Sequence, residues 1–219
     1  MKKCLFLDIE TQNLDMESEG LTFDNPKGWK TACVGVYDLW EGEPYDKGVS
    51  YFFVPDADHI YDKSMRKYNL WNLETLEQTL TKCYDSGYYL VTKNGKGFDL
   101  PILSKPLEKG GASAKDIIDK YEEDNRHIDI CALLREQYGY RFSLQNLVSG
   151  LYGSNESKTM AAADAPKAWD RGEHKEVLDY CIYDCILTAK IFFDAPQQTF
   201  EAVGYNGKSR KKMIIKANW

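Results

Sequence analysis

The sequence has no long apolar run. Its longest, such as Cys4 to Leu7 and Ile191 to Phe193, are a few residues each, far short of the roughly 20 needed to cross a bilayer. After Lys2 and Lys3 the apolar stretch stops at Asp8 and Glu10, so no secretory leader is expected. A cytoplasmic protein with no membrane partner is expected. The six cysteines form no C-x-x-C pair, and no histidine pair accompanies Cys181 and Cys185 on their shared helical face. Neither a disulfide framework nor a zinc site is expected; the cysteines read as buried thiols in a reducing compartment. An excess of Lys and Arg is also lacking. With 28 basic and 34 acidic residues the formal charge is −6. That excludes broad coating of nucleic acid but not an enzyme that grips one strand end. Carboxylates that hold metal ions are themselves acidic, and the ions reverse the local field.

What is present is a chain of 219 residues, 43% hydrophobic and 28% charged, enough for one domain with a real core. Cys4 to Ile9 reads as a short buried strand. Thr31 to Trp40 and Val49 to Val54 are β-rich runs separated by Glu41, Gly42 and Pro44, as in antiparallel hairpins. Leu73, Leu76, Leu80, Cys83 and Tyr84 recur at helical spacing, with Asn72 placed as a cap. Tyr88 to Thr92 is a strand, Asp99 to Leu107 a helix broken near Pro106, and His127 to Asp129 a short strand leading into a helix through Tyr138. Ser143 caps a helix that ends near Gly153, residues 154–171 read as a loop, and a long helix covers Glu173 to Phe193. This order predicts an α/β domain with a mixed central sheet and helices on its faces. Residues 1–195 form that domain, and 196–219 a C-terminal extension. From Gly204 onward the extension carries Lys208, Arg210, Lys211, Lys212 and Lys216 and no acid; it is either a solvated end or a grip on phosphate.

Three short segments carry chemistry. In Leu5-Phe6-Leu7-Asp8-Ile9-Glu10-Thr11, a strand delivers two carboxylates at i and i+2 to one side of the sheet. Two adjacent acids repel unless a cation lies between them, and hard cations such as Mg²⁺ prefer oxygen ligands. Asn94-Gly95-Lys96-Gly97-Phe98-Asp99 follows a strand, loops through two glycines and places Asp99 at a helix start. In the long helix, Tyr180 and Asp184 are four apart and share a face at the margin of the apolar stripe. Read singly, each has a plainer explanation: a solvated strand end, a helix cap, an acid at the edge of an amphipathic helix.

Together, the order D-x-E, N-G-x-x-F-D and Y-x-x-x-D resembles the DEDD superfamily of 3′–5′ exonucleases. It is most similar to the proofreading domains of family B DNA polymerases and their stand-alone relatives. The resemblance extends from about Met1 to Phe193, with Ser143 to Leu147 similar to the segment before the last motif. It implies a ribonuclease H-like fold and two divalent ions, Mg²⁺ or Mn²⁺. Asp8, Glu10 and Asp184 would bind one ion; Asp8 would bridge to a second, held by Asp99 directly or through water. Tyr180 would orient the attacking water, and Thr11, Asn94 and Phe98 would lie near the terminal nucleotides. The implied substrate is a nucleic acid with a free 3′ end, DNA before RNA, and a separate polymerase or replication protein is a possible partner.

Other readings compete. His174 and Asp179 satisfy the H-x-x-x-x-D pattern of the sister subgroup, in which histidine is the general base. The tyrosine version is preferred because Asp184 continues into small, apolar helix positions. Leu7 to Thr11 also resembles the D-x-D-x-T loop of haloacid-dehalogenase-type phosphatases, but Glu10 departs from it. A binding module without activity is a further alternative. His127 with Asp129 is a weaker nominee, because Asp129 reads as a cap. Gln12 to Lys30 is long for a connection and could close over a substrate. His59, Tyr68 and Trp71 read as packing residues.

Overall fold

Period-two alternation along the first strand decides the architecture. In the computed structural model, which describes residues 1–106, 113–153 and 156–219, strand β1 (Lys3–Thr11) is central. It sends Cys4 and Phe6 into one apolar core and Leu5, Leu7 and Ile9 into another on the opposite face. A strand with apolar residues on both faces must be covered on both. The cover comes from the elements that follow.

Strands β2 (Thr31–Trp40) and β3 (Val49–Val54) have the predicted bounds. They are followed by helix α1 (Ala57–Ile60), strand β4 (Asn69–Asn72), helix α2 (Leu76–Asp85) and strand β5 (Tyr89–Thr92). Helices α3 (Asp99–Leu103) and α4 (Lys115–Glu123), strand β6 (His127–Asp129) and helix α5 (Ile130–Tyr138) come next. The chain continues through β7 (Arg141–Phe142), α6 (Leu144–Tyr152), α7 (Ala165–Asp170), α8 (His174–Asp194), β8 (Phe200–Tyr205) and β9 (Arg210–Ile215).

Six strands form a mixed sheet in the order β4-β3-β2-β1-β5-β6. The pairs β1/β2 and β2/β3 are antiparallel, while β3/β4, β1/β5 and β5/β6 are parallel. The antiparallel run β3-β2-β1 extended by two parallel strands is the arrangement of a ribonuclease H-like fold. One face is covered by α5 to α8, through residues such as Leu134, Leu147, Ala168 and Leu178. The other is covered by α2, α3 and α4, through Leu80, Ile102 and Tyr121. Phe6 packs edge-to-face on Phe192 and Phe193 of α8, with centroids 5.8 and 5.7 Å away; its burial contributes about 1.5–3 kcal/mol. Among the described residues no helix is long and apolar enough to cross a membrane.

Several local expectations differ from the structure. Asn72 does not cap the helix through its side chain; its Oδ1 accepts from the Ala57 amide at 2.8 Å and fastens α1 to β4 instead. The helix at Asp99 ends at Leu103, and the predicted end at Leu107 lies outside the described residues. Within the stretch read as a loop, Ala165–Asp170 is a helix with Pro166 in its first turn, a position where the missing amide costs nothing. Asn69–Asn72 pairs as an edge strand. The basic end of the chain is a β-hairpin, paired through β8 to β7 in a second, three-stranded sheet. Asp129 and Ser143 do cap α5 and α6 as expected.

Candidate active site

The face of β1 that buries Cys4 and Phe6 against α8 continues, two residues at a time, to Asp8 and Glu10. Those carboxylates therefore meet α8, whose residues Tyr180, Cys181, Asp184 and Cys185 are all buried. Close approach depends on Gly35, the β2 partner of Asp8. A Cβ there would lie 3.0 Å from Cys181 Sγ and 3.4 Å from Cys185 Sγ. The Cys181 thiol donates to the Asp8 carbonyl at 3.4 Å, and the Cys185 thiol to the Gly35 carbonyl at 3.3 Å. The cysteines are thus free thiols that seat the helix on the sheet.

One oxygen from each of Asp8, Glu10 and Asp184 lies within 4.8 Å of the others. Burial raises the pKa of Asp8 and Glu10 well above the usual carboxylate range, and neighbouring acids add to it: Asp99 and Asp184 for Asp8, Asp8 and Asp184 for Glu10. Asp184 is raised by burial and pulled back by Lys158. Asp184 Oδ1 is buried and has no hydrogen-bond partner among the described residues. An acceptor-only oxygen left in this way, beside two further carboxylates, suits a hard cation. These three residues would hold it.

Asp99 arrives from the other side of β1. Its Oδ1 accepts from the Ile9 amide at 3.2 Å, which fixes it next to Asp8. Burial pushes its pKa up to about 7, against the opposing pull of its own backbone amide and that of Ile9. The loop that delivers it is clamped by Asp129. That carboxylate accepts from the amides of Asn94 (2.9 Å), Lys96 (2.9 Å), Cys131 (2.9 Å) and Ala132 (3.1 Å). Asn94 takes a left-handed conformation with φ 74°, which asparagine tolerates. Gly95 lies so close to Thr92 that a Cβ would come within 2.3 Å of its hydroxyl. Phe98 packs against Trp29 and Phe23 of the long connection, with centroids 5.2 and 5.8 Å away. Both ends of that connection are tied together by Gln12 N to Lys30 O at 2.9 Å. Thr11 is buried at the end of β1, where the register shifts.

Tyr180 is buried one turn from Asp184. Burial, then Asp184, Glu10 and Asp8, push its pKa upward, so the hydroxyl keeps its proton at neutral pH. His174 and Asp179 stand apart. His174 is the first residue of α8 and packs on Trp169 at 4.5 Å. Asp179 is exposed and bonded to Tyr68 and Lys175. His127 is buried, hydrogen-bonded to Thr92 at 2.8 Å and to Glu122, and does not reach the acids.

Two lysines escape sequence reasoning. Lys158 Nζ ion-pairs with Asp184 and donates to the Tyr180 hydroxyl at 2.7 Å. Its backbone amide donates to Gln145 Oε1 at 2.9 Å, which holds the segment against α6. Lys93 lowers the pKa of Asp8, Asp99 and Asp184 through its charge. Lys158 lies in a stretch without periodicity, so no pattern points to it. Lys93 does have a signal: it stands between the end of β5 at Thr92 and the Asn94-Gly95 loop.

No curated protein sequence matches the chain. Among solved structures, exonuclease I is similar at 12% identity and a TM-score of 0.43, over 87% of this chain and 40% of that one. Exonuclease I of E. coli in complex with a dA16 oligonucleotide is similar at 13% identity and a TM-score of 0.38, over 82% of this chain and 43% of that one. The chain thus spans less than half the length of these proteins. A family described as predicted 3′–5′ exonuclease related to the exonuclease domain of PolB matches residues 48–212. The match includes Asn94, Phe98, Asp99, Tyr180 and Asp184 but begins after Asp8 and Glu10, which the fold itself brings to Asp184. The chain belongs to this family of predicted 3′–5′ exonucleases related to the exonuclease domain of PolB.

Proposed function

We propose that the protein is a metal-dependent 3′–5′ exonuclease that hydrolyses DNA from its 3′ end and releases nucleoside 5′-monophosphates. The observation that carries this reading is the convergence of Asp8, Glu10 and Asp184, with a buried Asp184 oxygen that has no hydrogen-bond partner among the described residues, in a chain of an exonuclease family. Asp8, Glu10 and Asp184 would hold one Mg²⁺ or Mn²⁺, and Asp8 and Asp99 a second. Two such ions, when bound, activate water and stabilise the leaving 3′ oxygen. The chain's own contribution is positional. Tyr180, held protonated, orients the water through its hydroxyl, and Lys158 steadies that hydroxyl. Asn94, Phe98 and Thr11 border the terminal nucleotide. The family's relation to PolB supports DNA over RNA. The same proposal assigns residues 1–195 to the exonuclease domain, with a cytoplasmic enzyme that works alone or beside a separate polymerase or replication partner.

A 5′-labelled single-stranded DNA and an RNA of the same sequence, each with Mg²⁺, Mn²⁺ or EDTA, test this. A metal-dependent ladder shortening from the 3′ end is expected, faster on DNA. Asp8→Ala and Asp184→Ala should each lower the rate by ~10³-fold, because the ions supply several kcal/mol of transition-state stabilisation. Near-normal turnover in either variant, or faster cleavage of RNA, would overturn the corresponding part.

A further inference from the structure

The protein is acidic overall, with a net charge of −6, yet its last 16 residues carry five basic residues and no acid. They cover the end of β8, the turn after it and β9, and lie on a three-stranded sheet with a defined face. Register places Arg141, Tyr205 and Arg210 side by side across the three strands. The next rows on the same face are Val203 with Lys212 and Glu201 with Ile214. The opposite face turns Phe142, Phe200, Ala202 and Ile215 into the core, so the first face is open to solvent. Tyr205 is 49% and Ile214 67% exposed. The Tyr205 hydroxyl donates to the Gly207 carbonyl at 2.7 Å, which fixes the ring by its edge and leaves its plane available. Asn206 Oδ1 accepts from the amides of Lys208 and Ser209 at 3.0 and 2.8 Å, which shapes the turn that carries Lys208.

We propose that this face binds the nucleic-acid strand itself, with Arg141 and Arg210 on phosphates and Tyr205 stacked on a base. A surface for an acidic protein would need the charges alone; an exposed aromatic between two guanidinium groups is the combination that suits a strand with bases and phosphates. Lys212 pairs with Glu201, both well exposed, and such pairs exchange readily for phosphate. The sheet is fixed to the site region through α6. Asn146 Nδ2 donates to the Val203 carbonyl at 2.6 Å, while the preceding Gln145 holds Lys158 beside Asp184. The proposal depends on the exonuclease reading only in taking the bound strand to be the substrate.

The test is fluorescence anisotropy of a 5′-labelled single-stranded 30-mer in EDTA across a salt series. Wild type is compared with Arg141→Gln/Arg210→Gln, Arg141→Lys/Arg210→Lys and Tyr205→Ala, each checked for an unchanged melting curve. The double Gln variant should bind ~10-fold or more weakly, with the slope of log K against log salt reduced by about 1.4, since each phosphate contact contributes about 0.7. The double Lys variant should keep the slope. Tyr205→Ala should weaken binding about 10-fold at unchanged slope. Identical binding and slope in all four proteins would overturn the proposal. Metal-dependent cleavage of the same strand is followed separately. Weakened binding in the variants with no cleavage by wild type would sink the exonuclease reading and leave the strand-binding face standing.

Discussion

Lys158 and Tyr180 show how a single side chain's surroundings set its role. Lys158 is the direct partner of Asp184, so an ion seated on Asp8, Glu10 and Asp184 has to share that carboxylate with a lysine. Lys158→Met removes the competitor but leaves Asp184 without its cation. Stability without added metal should fall by about 2 kcal/mol, or roughly 4–8 °C in Tm. Mn²⁺ should then bind about 10-fold more tightly, because binding to the folded state alone recovers what was lost. Titration calorimetry and thermal melts measure both effects, and weaker Mn²⁺ binding in the variant contradicts the competition. Tyr180 is buried against the acids with its proton retained, while His174 is the first residue of α8 and packs on Trp169. Tyr180→Phe should lower kcat by roughly 10²-fold, in the range of a lost proton-orienting group. His174→Gln should leave kcat near wild type, and the reverse order in steady-state kinetics would move the reaction to the histidine pattern.

At the scale of elements, the site is a contact between β1 and α8 that Gly35 permits. Gly35→Ala places a methyl group 3.0 Å from Cys181 Sγ and 3.4 Å from the Cys181 backbone, so α8 has to give by a few tenths of an ångström. The expected cost is about 1–3 kcal/mol, as for other overpacked cores, with activity reduced because Asp184 moves relative to Asp8. Adding Cys181→Ala should return part of both losses, since it removes the sulfur nearest the new methyl. Calorimetric melts and rates of the single and double variants measure the coupling; strict additivity would show that the contact does not set the helix position. A similar economy governs the Asn94–Asp99 loop. Its geometry is imposed from β6 by Asp129, through the backbone amides of Asn94 and Lys96. Asp129 caps α5 as its sequence position indicates, and the same carboxylate also holds the loop that carries Asp99.

Across the whole molecule, the acids make stability depend on pH. Burial raises the Asp99 pKa from 3.8 to about 7. Between these values the folded state binds the proton more strongly than the unfolded chain, so stability is present at low pH and is lost as pH rises through about 7. Asp8 and Glu10 shift in the same direction. His127 opposes them: burial lowers its pKa below 6.5, so its contribution is lost as pH falls below that value. Comparison with Asp99→Asn isolates the carboxylate. In EDTA, the variant should gain in Tm relative to wild type from pH 5 to 8. The stabilisation of wild type by Mg²⁺ should grow over the same range, because the proton and the ion compete for the same oxygens. A Tm difference that does not change with pH would contradict the assignment of this buried acid.

Long, strongly patterned elements were legible without the fold. The bounds of β2 and β3, the capping of α5 and α6, and the run of α8 follow from periods of two and 3.6 and from cap chemistry that operate within a few residues. The acids Asp8, Glu10, Asp99 and Asp184 stood out because each occurs in a short local motif. Short or highly charged elements did not show. Strand β4 has four residues, and α4 reads KDIIDKYEE, where packing rather than propensity selects the conformation. The hairpin of β8 and β9 is rich in lysine and becomes a strand pair only through its contacts with α6 and β7. Lys158 reaches Asp184 across 26 residues of chain, and Asp8 reaches Cys181 across 173. The sequence by itself determined which residues form the main strands and helices and which acids stand in the three motifs. Their convergence, their shifted protonation, the lysine among them and the basic face were decided only in the tertiary structure. Those depend on distances and burial between segments far apart in the chain, and no local period encodes them.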